Sequence, residues 1–218
     1  MNRGLTANSM PIYVGMLLVT LGMASLAIGA RNIPIQMVVD ALVNAQSDNL
    51  MHAIVGERVP RTVFSLIAGA ALGVSGALMQ AVTRNPLADP SILGVNTGAS
   101  LFVVIGLTFF KLTMPLTYIV WALMGAGITA VLVYALGSIG YGGATPIKLA
   151  LAGAATSAAL ASAISALVLP RTDVMNAYRF WQIGTVSGAT WEGIFWSLPF
   201  VGAAFLLTWF LLPSLDAM

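Results

Sequence analysis

The stretch TVFSLIAGAALGVSGALMQAVT, residues 62–83, decides the fold class because it holds no charged side chain. As a helix it would extend roughly 33 Å at 1.5 Å per residue, enough to cross the hydrocarbon core of a bilayer. Residues 90–110, 112–147, 149–170 and 193–215 are equally free of Asp, Glu, Lys and Arg. Of the 218 residues, 59% are hydrophobic and 7% charged, with a mean hydropathy of +0.94. A soluble domain is about one-quarter charged, so this chain cannot build a water-soluble surface. It reads as an all-α, polytopic transmembrane helical bundle.

Outward from that stretch, six spans are expected. The first runs from Met10 to Ala30; it is longer than a signal-peptide core and more spans follow, so it reads as an uncleaved helix. The second covers about Arg61 to Val82, where Gly69, Gly73 and Gly76 fall along one face and would let another helix approach closely. The others cover about Ile92–Phe110, Leu116–Leu136, Ile147–Leu169 and Gly193–Leu212. The fifth is crowded with Ala, Gly and Ser from Ala152 to Ala159, which suits a buried helix. Six crossings put both ends of the chain on one side.

The connections are equally informative. Ile35, Val38, Val39, Leu42 and Val43 recur at helical spacing, fitting either a short amphipathic helix at the membrane surface or a plain linker. Pro86 and Pro90 bar a helix through Arg84–Pro90, which must turn. Residues 171–192, with Tyr178, Phe180, Trp181 and Trp191, read as a polar stretch with an interfacial aromatic belt.

Composition also excludes function classes. The chain has no cysteine, so no disulfide framework or thiolate metal site exists. His52, the single histidine, reads as an ordinary polar surface residue rather than a metal ligand. A net charge of +2 from so few ionisable groups implies no nucleic-acid partner. No carboxylate pair lies in a span, and there is neither a Ser/His/Asp set nor a Walker-type phosphate loop, so the chain is read as a non-enzyme that binds no cofactor.

One long pattern carries a resemblance. Glu57-Arg58-Val59-Pro60-Arg61, the small-residue run Ala68 to Gln80, and Thr83-Arg84-Asn85-Pro86-Leu87-Ala88-Asp89-Pro90 through Ala99 resemble the iron-siderophore, haem and cobalamin permease family of ABC importers. Gly184, Ser187-Gly188-Ala189 and Trp191-Glu192 fit the same family more weakly. The resemblance implies a subunit of ten helices, of which six are present here. It also implies a single permease domain over residues 1–218 that stops before the cytoplasmic coupling helix. The implied partners are a second permease subunit, as homo- or heterodimer, cytoplasmic ATPase subunits holding ATP and Mg, an extracytoplasmic siderophore-binding protein and the lipid bilayer. The implied cargo is an iron(III)-siderophore complex, with haem or cobalamin as the alternative within the family.

The resemblance also assigns roles. Arg58 and Arg61 correspond to arginines that receive carboxylates of the binding protein; anchoring a helix end at the head groups is the plainer reading. Asn85 and Leu87 resemble a constriction at the cytoplasmic exit, and Thr145, Pro146 and Ile147 a second one, although a buried structural turn explains Pro86 and Pro90 equally well. Gln80, Asn96 and Ser157 could line the path or merely bond between helices. Arg3, Arg84 and Lys148 on the N-terminal side face six cations on the other, Arg31, Arg58, Arg61, Lys111, Arg171 and Arg179. Charge alone would put the N-terminus outside. The resemblance places it in the cytoplasm, in a bacterial inner membrane. A non-ABC channel or secondary transporter would be expected to hold a charge inside a span, and the charge-free stretches oppose it. A non-functional truncated paralogue is the remaining alternative.

Overall fold

The computed structural model describes residues 3–44, 49–86 and 88–216; all their regular structure is helical, with no strand among them. The helices are α1 (Arg3–Ala27), α2 (Ile35–Val43), α3 (Leu50–Thr83), α4 (Val95–Ile105, prolonged by a wider π turn to Phe110), α5 (Pro115–Gly137), α6 (Pro146–Val168), α7 (Thr172–Ile183) and α8 (Trp191–Asp216). Five of them, α1, α3, α5, α6 and α8, are long and apolar enough to cross a membrane, whereas Val95–Phe110 is a shorter apolar helix. The chain forms two compact units, one of residues up to 67 with 186–190, the other of residues 68–185 and 191 onward.

In the first unit α1, α2 and the first turns of α3 share a core of Leu26, Ile33, Val38, Ala41 and Val55. Burying a side chain such as Val or Leu contributes about 1.5–3 kcal/mol, so this cluster is what fixes α2. The linker alternative for Ile35–Val43 is thereby set aside in favour of a helix. The start expected at Arg61 is corrected: α3 begins at Leu50 and runs through Pro60. Proline there removes one amide donor, yet its ring is buried among neighbours that hold the helix on course. α1 likewise begins at Arg3 rather than Met10 and ends at Ala27.

In the second unit α4 and α5 form a tight hairpin across residues 111–114, and α6 packs on both. Small residues set these crossings. A Cβ on Gly98 would overlap the Thr129 side chain and lie 2.7 Å from the Gly125 carbonyl oxygen, and one on Gly125 would meet the Gly98 carbonyl. At Gly153 a Cβ would strike the Ile92 carbonyl oxygen. The face of α3 expected to play this part is different: nothing lies within 4 Å of a Cβ at Gly69, Gly73 or Gly76 among the described residues.

The prolines of the 84–90 turn act as expected. Arg84 takes a positive φ of 50°, ending α3, and Asp89 caps the short 3-10 turn Pro90–Leu93 by accepting from the Ser91 N–H at 2.7 Å. Gly94, at φ 67°, then redirects the chain into α4 against Ser157. Ser157 lies roughly 16 Å along α6 from Pro146, so irregular backbone here reaches the depth of the span and is covered by protein, the condition under which membranes tolerate it. This explains why α4 is short.

Residues 171–192 hold a further helix. Thr172–Ile183 is a helix, α7, whose Val174 and Tyr178 bury against Val104, Ile164 and Val168.

Candidate functional site

The first group of side chains surrounds Arg58 and Arg61. Because α3 begins so far upstream, both arginines sit in mid-helix. The Arg58 guanidinium donates from Nη1 to the Leu26 carbonyl at 2.8 Å and from Nη2 to the Arg31 carbonyl at 2.7 Å. It therefore satisfies the Leu26 carbonyl left open at the C-terminal end of α1, where a cation is also favoured by the helix dipole, and the Arg31 carbonyl in the connection that follows. Gly29 makes room for it: a Cβ there would lie 2.7 Å from Nη2. Arg61 meets Glu57 one turn away at 3.4 Å, and its Nε is buried with no hydrogen-bond partner among the described residues. Both line a cavity of about 550 Å³ with Ser25, Glu57, Thr62 and Ser187. Arg58 is thus committed to holding α1, while Arg61 faces the open cavity with only a long contact to an exposed carboxylate.

Beneath this cavity His52 corrects another expectation. It is buried, its Nε2 lies 3.1 Å from Asp40 Oδ2, and its Nδ1 lies 3.3 Å from the Asn44 carbonyl. Asn44 Nδ2 donates to the other Asp40 oxygen at 2.7 Å. His52 thereby ties α2 to α3.

The second group comprises the two expected constrictions. Asn85 is exposed, and its N–H donates to the Gln80 carbonyl at 3.3 Å. Leu87 lies outside the described residues. Thr145 is the N-cap of α6, accepting from the Lys148 N–H at 3.4 Å, with Pro146 at the first helical position and Ile147 exposed. Lys148 closes the glycine-rich loop before it. Its ammonium donates to the carbonyls of Ile139, Tyr141 and Gly143 at 3.3, 2.8 and 3.1 Å. Three acceptors for three donors keep this cation from standing alone. On the far side of the same unit Arg171 donates to the Thr108 carbonyl at 3.0 Å and lies over the Phe109 ring.

The third group is a cavity of about 740 Å³ between α4, α6 and α7, bordered by Asn96, Thr97, Ser100, Ser165, Tyr178, Trp181 and Gln182. Of these, Asn96 was read from the sequence as a possible path residue, and Tyr178 and Trp181 as members of an interfacial aromatic belt. The signal for the α7 residues was available in the spacing of Val174, Tyr178 and Trp181, which repeats at helical intervals. An apolar groove of about 520 Å³ lies between α3 and α8, lined by Val74, Leu78, Phe205 and Trp209 among others. Among the described residues no group of three or more His, Cys, Asp or Glu side chains is placed to hold a metal ion.

Comparisons with known proteins agree in kind. The model of the FecCD transport family matches residues 17–218. The chain is 39% identical over 185 residues to the iron(3+)-hydroxamate import system permease protein FhuB of Bacillus subtilis (strain 168), covering 84% of this chain and 48% of that protein. It is 40% identical over 171 residues to the ferric enterobactin transport system permease protein FepD of Escherichia coli (strain K12), covering 78% and 51% respectively. The chain thus spans about half the length of these curated relatives. A solved metal-chelate type ABC transporter in an inward-facing conformation shares the fold, with a TM-score of 0.71, 23% identity, and coverage of 92% of this chain and 61% of that one.

Proposed function

From the premise that the chain belongs to the FecCD transport family, we propose that it serves as the membrane-spanning permease of an ABC importer carrying iron(III)-siderophore complexes inward. The observation that carries this is the family match over residues 17–218, joined by relatives named for hydroxamate and enterobactin import. ATP hydrolysis belongs to separate cytoplasmic ATPase subunits, a second permease subunit completes the path, and an extracytoplasmic binding protein delivers the chelate. The N-terminus is cytoplasmic and the membrane is the bacterial inner one. Residues 1–218 act as one permease domain. The long charge-free stretches support passive guidance of a bulky cargo over ion coupling.

Within this reading Arg61 receives a carboxylate of the binding protein, and its weak tie to Glu57 leaves the end of its guanidinium available. Arg58 contributes by fixing the α1 end on which that surface rests. Asn85 and Leu87, together with Thr145, Pro146 and Ile147 at the start of α6, narrow the cytoplasmic exit, with Lys148 stiffening the loop before α6. The decisive experiment is uptake of radiolabelled iron as hydroxamate, enterobactin or citrate chelates in cells deprived of their own chelate permeases. ATP-dependent uptake of at least one is expected; uptake of none would sink the reading. Docking is tested separately by Arg61→Glu, and undiminished affinity for the binding protein would remove Arg61 from the interface.

A further inference from the structure

His52 is the chain's one histidine, and with no cysteine present no other side chain ordinarily changes charge between about pH 6 and pH 8. Its ring is buried, and both ring nitrogens face oxygen acceptors: Nε2 stands 3.1 Å from Asp40 Oδ2, and Nδ1 stands 3.3 Å from the Asn44 carbonyl. A neutral imidazole carries a single N–H, so either tautomer turns a lone pair towards one of these oxygens. The ring with both protons donates to both. Asp40 and Asn44 close the circuit: Asn44 Nδ2 donates to Asp40 Oδ1 at 2.7 Å, and the Asn44 N–H donates to the Asp40 carbonyl at 2.7 Å, ending α2.

The end of α2, not His52's own helix, holds this cation. His52 lies in the first turn of α3, where the dipole disfavours positive charge, but its ring reaches the carbonyl of the residue that caps α2, where a cation is favoured. Asp40, on α2 and partly exposed, supplies the opposite charge that a buried cation requires. Other charges nearby in the chain are engaged elsewhere: Glu57 is exposed and meets Arg61, Arg58 donates to the Leu26 and Arg31 carbonyls, and Arg31 itself is exposed. From α1 the shared core receives apolar Met23, Leu26 and Ala27. Among the described residues Asp40 is therefore the charged group in contact with the imidazole. Little else fastens α2, since of its nine residues only Val38 and Ala41 are buried. The charge-free part of α3 begins at Thr62, and His52 stands about 15 Å before it along the helix, outside the hydrocarbon and within reach of bulk protons.

We propose that His52 is a proton-operated latch: with both protons it fastens the C-terminal end of α2 to the start of α3, and loss of one proton releases α2 beside the Arg58–Arg61 cavity, whose rim residues 28–31 lead into α2. The fastened form holds one proton more than the released form, so the latch is closed in acid and opens as the pH rises from about 6 to about 8. In the proposed orientation it faces the extracytoplasmic side, and acid there firms the surface on which the binding protein docks. This consequence rests on the docking reading above, whereas the latch does not, and the test separates them. In a chain without cysteine, Ala41→Cys places a thiol beneath α2 and Val43→Cys one on its exposed side. Both are made in the complete transporter in lipid nanodiscs and treated with a neutral thiol reagent; the ratio of the two rates cancels the pH dependence of the thiol. At about pH 6 Ala41→Cys should react many-fold more slowly than Val43→Cys, and at about pH 8 the gap should narrow several-fold. With His52→Gln or Asp40→Asn added, the gap should be narrow at both. A gap in the parent that ignores pH, or one that changes equally with His52→Gln, overturns the latch. Binding protein loaded with ferric hydroxamate or ferric citrate, whichever is transported, should bind the parent several-fold more tightly at the lower pH. That difference should shrink with His52→Gln, a comparison that cancels titration of the binding protein itself. The same affinity change in both overturns the control of docking and leaves the permease reading standing. Undiminished affinity of Arg61→Glu at both pH values overturns the docking reading and leaves the latch standing.

Discussion

Truncating Arg58 to Ala would strip the Leu26 and Arg31 carbonyls of the guanidinium donors they now accept. Hydrogen bonds to charged groups contribute about 1.5–3 kcal/mol each when buried; Arg58 is only half-buried, so the loss is set at about 2 kcal/mol. At roughly 2–4 °C per kcal/mol, Arg58→Ala should lower Tm in detergent by about 6 °C, whereas Arg61→Ala should leave it nearly unchanged. Equal effects of the two substitutions would refute the division of labour between them. Arg58 was legible as a cation beside Pro60, but its acceptors lie 32 and 27 positions away in the chain, and no local pattern reveals them. Asp89 makes a second residue-scale test. The Ser91 side chain and backbone hydrogen-bond its carboxylate and hold its pKa below the usual carboxylate value. Because the folded pKa is the depressed one, the cap's contribution is present above the unfolded pKa and fades as pH falls through the folded value. The stability difference between the parent and Asp89→Ala should therefore shrink on going from about pH 5 to about pH 3; a difference independent of pH in that window would refute the ionic cap.

At the scale of elements, two sets of glycines on similar-looking helices should behave oppositely. Gly153→Ala forces a Cβ onto the Ile92 backbone, which cannot swing aside as a side chain end could. Gly73→Ala enters open space within this chain and gains helix propensity of about 1 kcal/mol. In detergent, thermal unfolding should show Gly153→Ala destabilised by at least about 2 kcal/mol and Gly73→Ala neutral or stabilised. A destabilised Gly73→Ala would mean that this face of α3 is packed after all. The spacing of Gly69, Gly73 and Gly76 announces a surface suited to close approach, but which helix arrives depends on partners that spacing cannot name. The close crossings at Gly98, Gly125 and Gly153 depend on register between α4, α5 and α6, which only assembly fixes. Apolar length made the long helices readable, and Thr145-Pro146 marked the start of α6, since Thr caps and Pro fits the first turn. The same criterion hid α7, which is too polar to register as a span, and cut α3 short at Pro60, where tertiary packing overrides the helix-breaking tendency.

At the scale of the whole molecule the open question is which side faces the cytoplasm. The loop cations are three against six, and the rule relating positive charge to the cytoplasm acts during insertion, before Arg58, Lys148 or Arg171 has found its carbonyls. Those later hydrogen bonds therefore cannot be subtracted from the count to rescue either orientation. Val95–Phe110 extends roughly 24 Å from the Gly94 turn beside Ser157, and irregular backbone before it supplies the rest of the crossing that the proposed topology requires. The turn of residues 111–114 makes α4 and α5 antiparallel, which fixes α6 as parallel to α4. With the proposed cytoplasmic N-terminus, residues 138–145 are then cytoplasmic and residues 184–190 extracytoplasmic. Tyr141 and Val186 are exposed on these two loops, and in a chain without cysteine each can be replaced by the only thiol. An impermeant thiol reagent added to intact spheroplasts should modify Val186→Cys at once and Tyr141→Cys only after lysis. The reverse pattern would invert the topology and put Arg61 on the cytoplasmic side, where no extracytoplasmic binding protein could reach it. Modification of both thiols before lysis would mean that α6 and α7 do not separate the two loops by a full crossing.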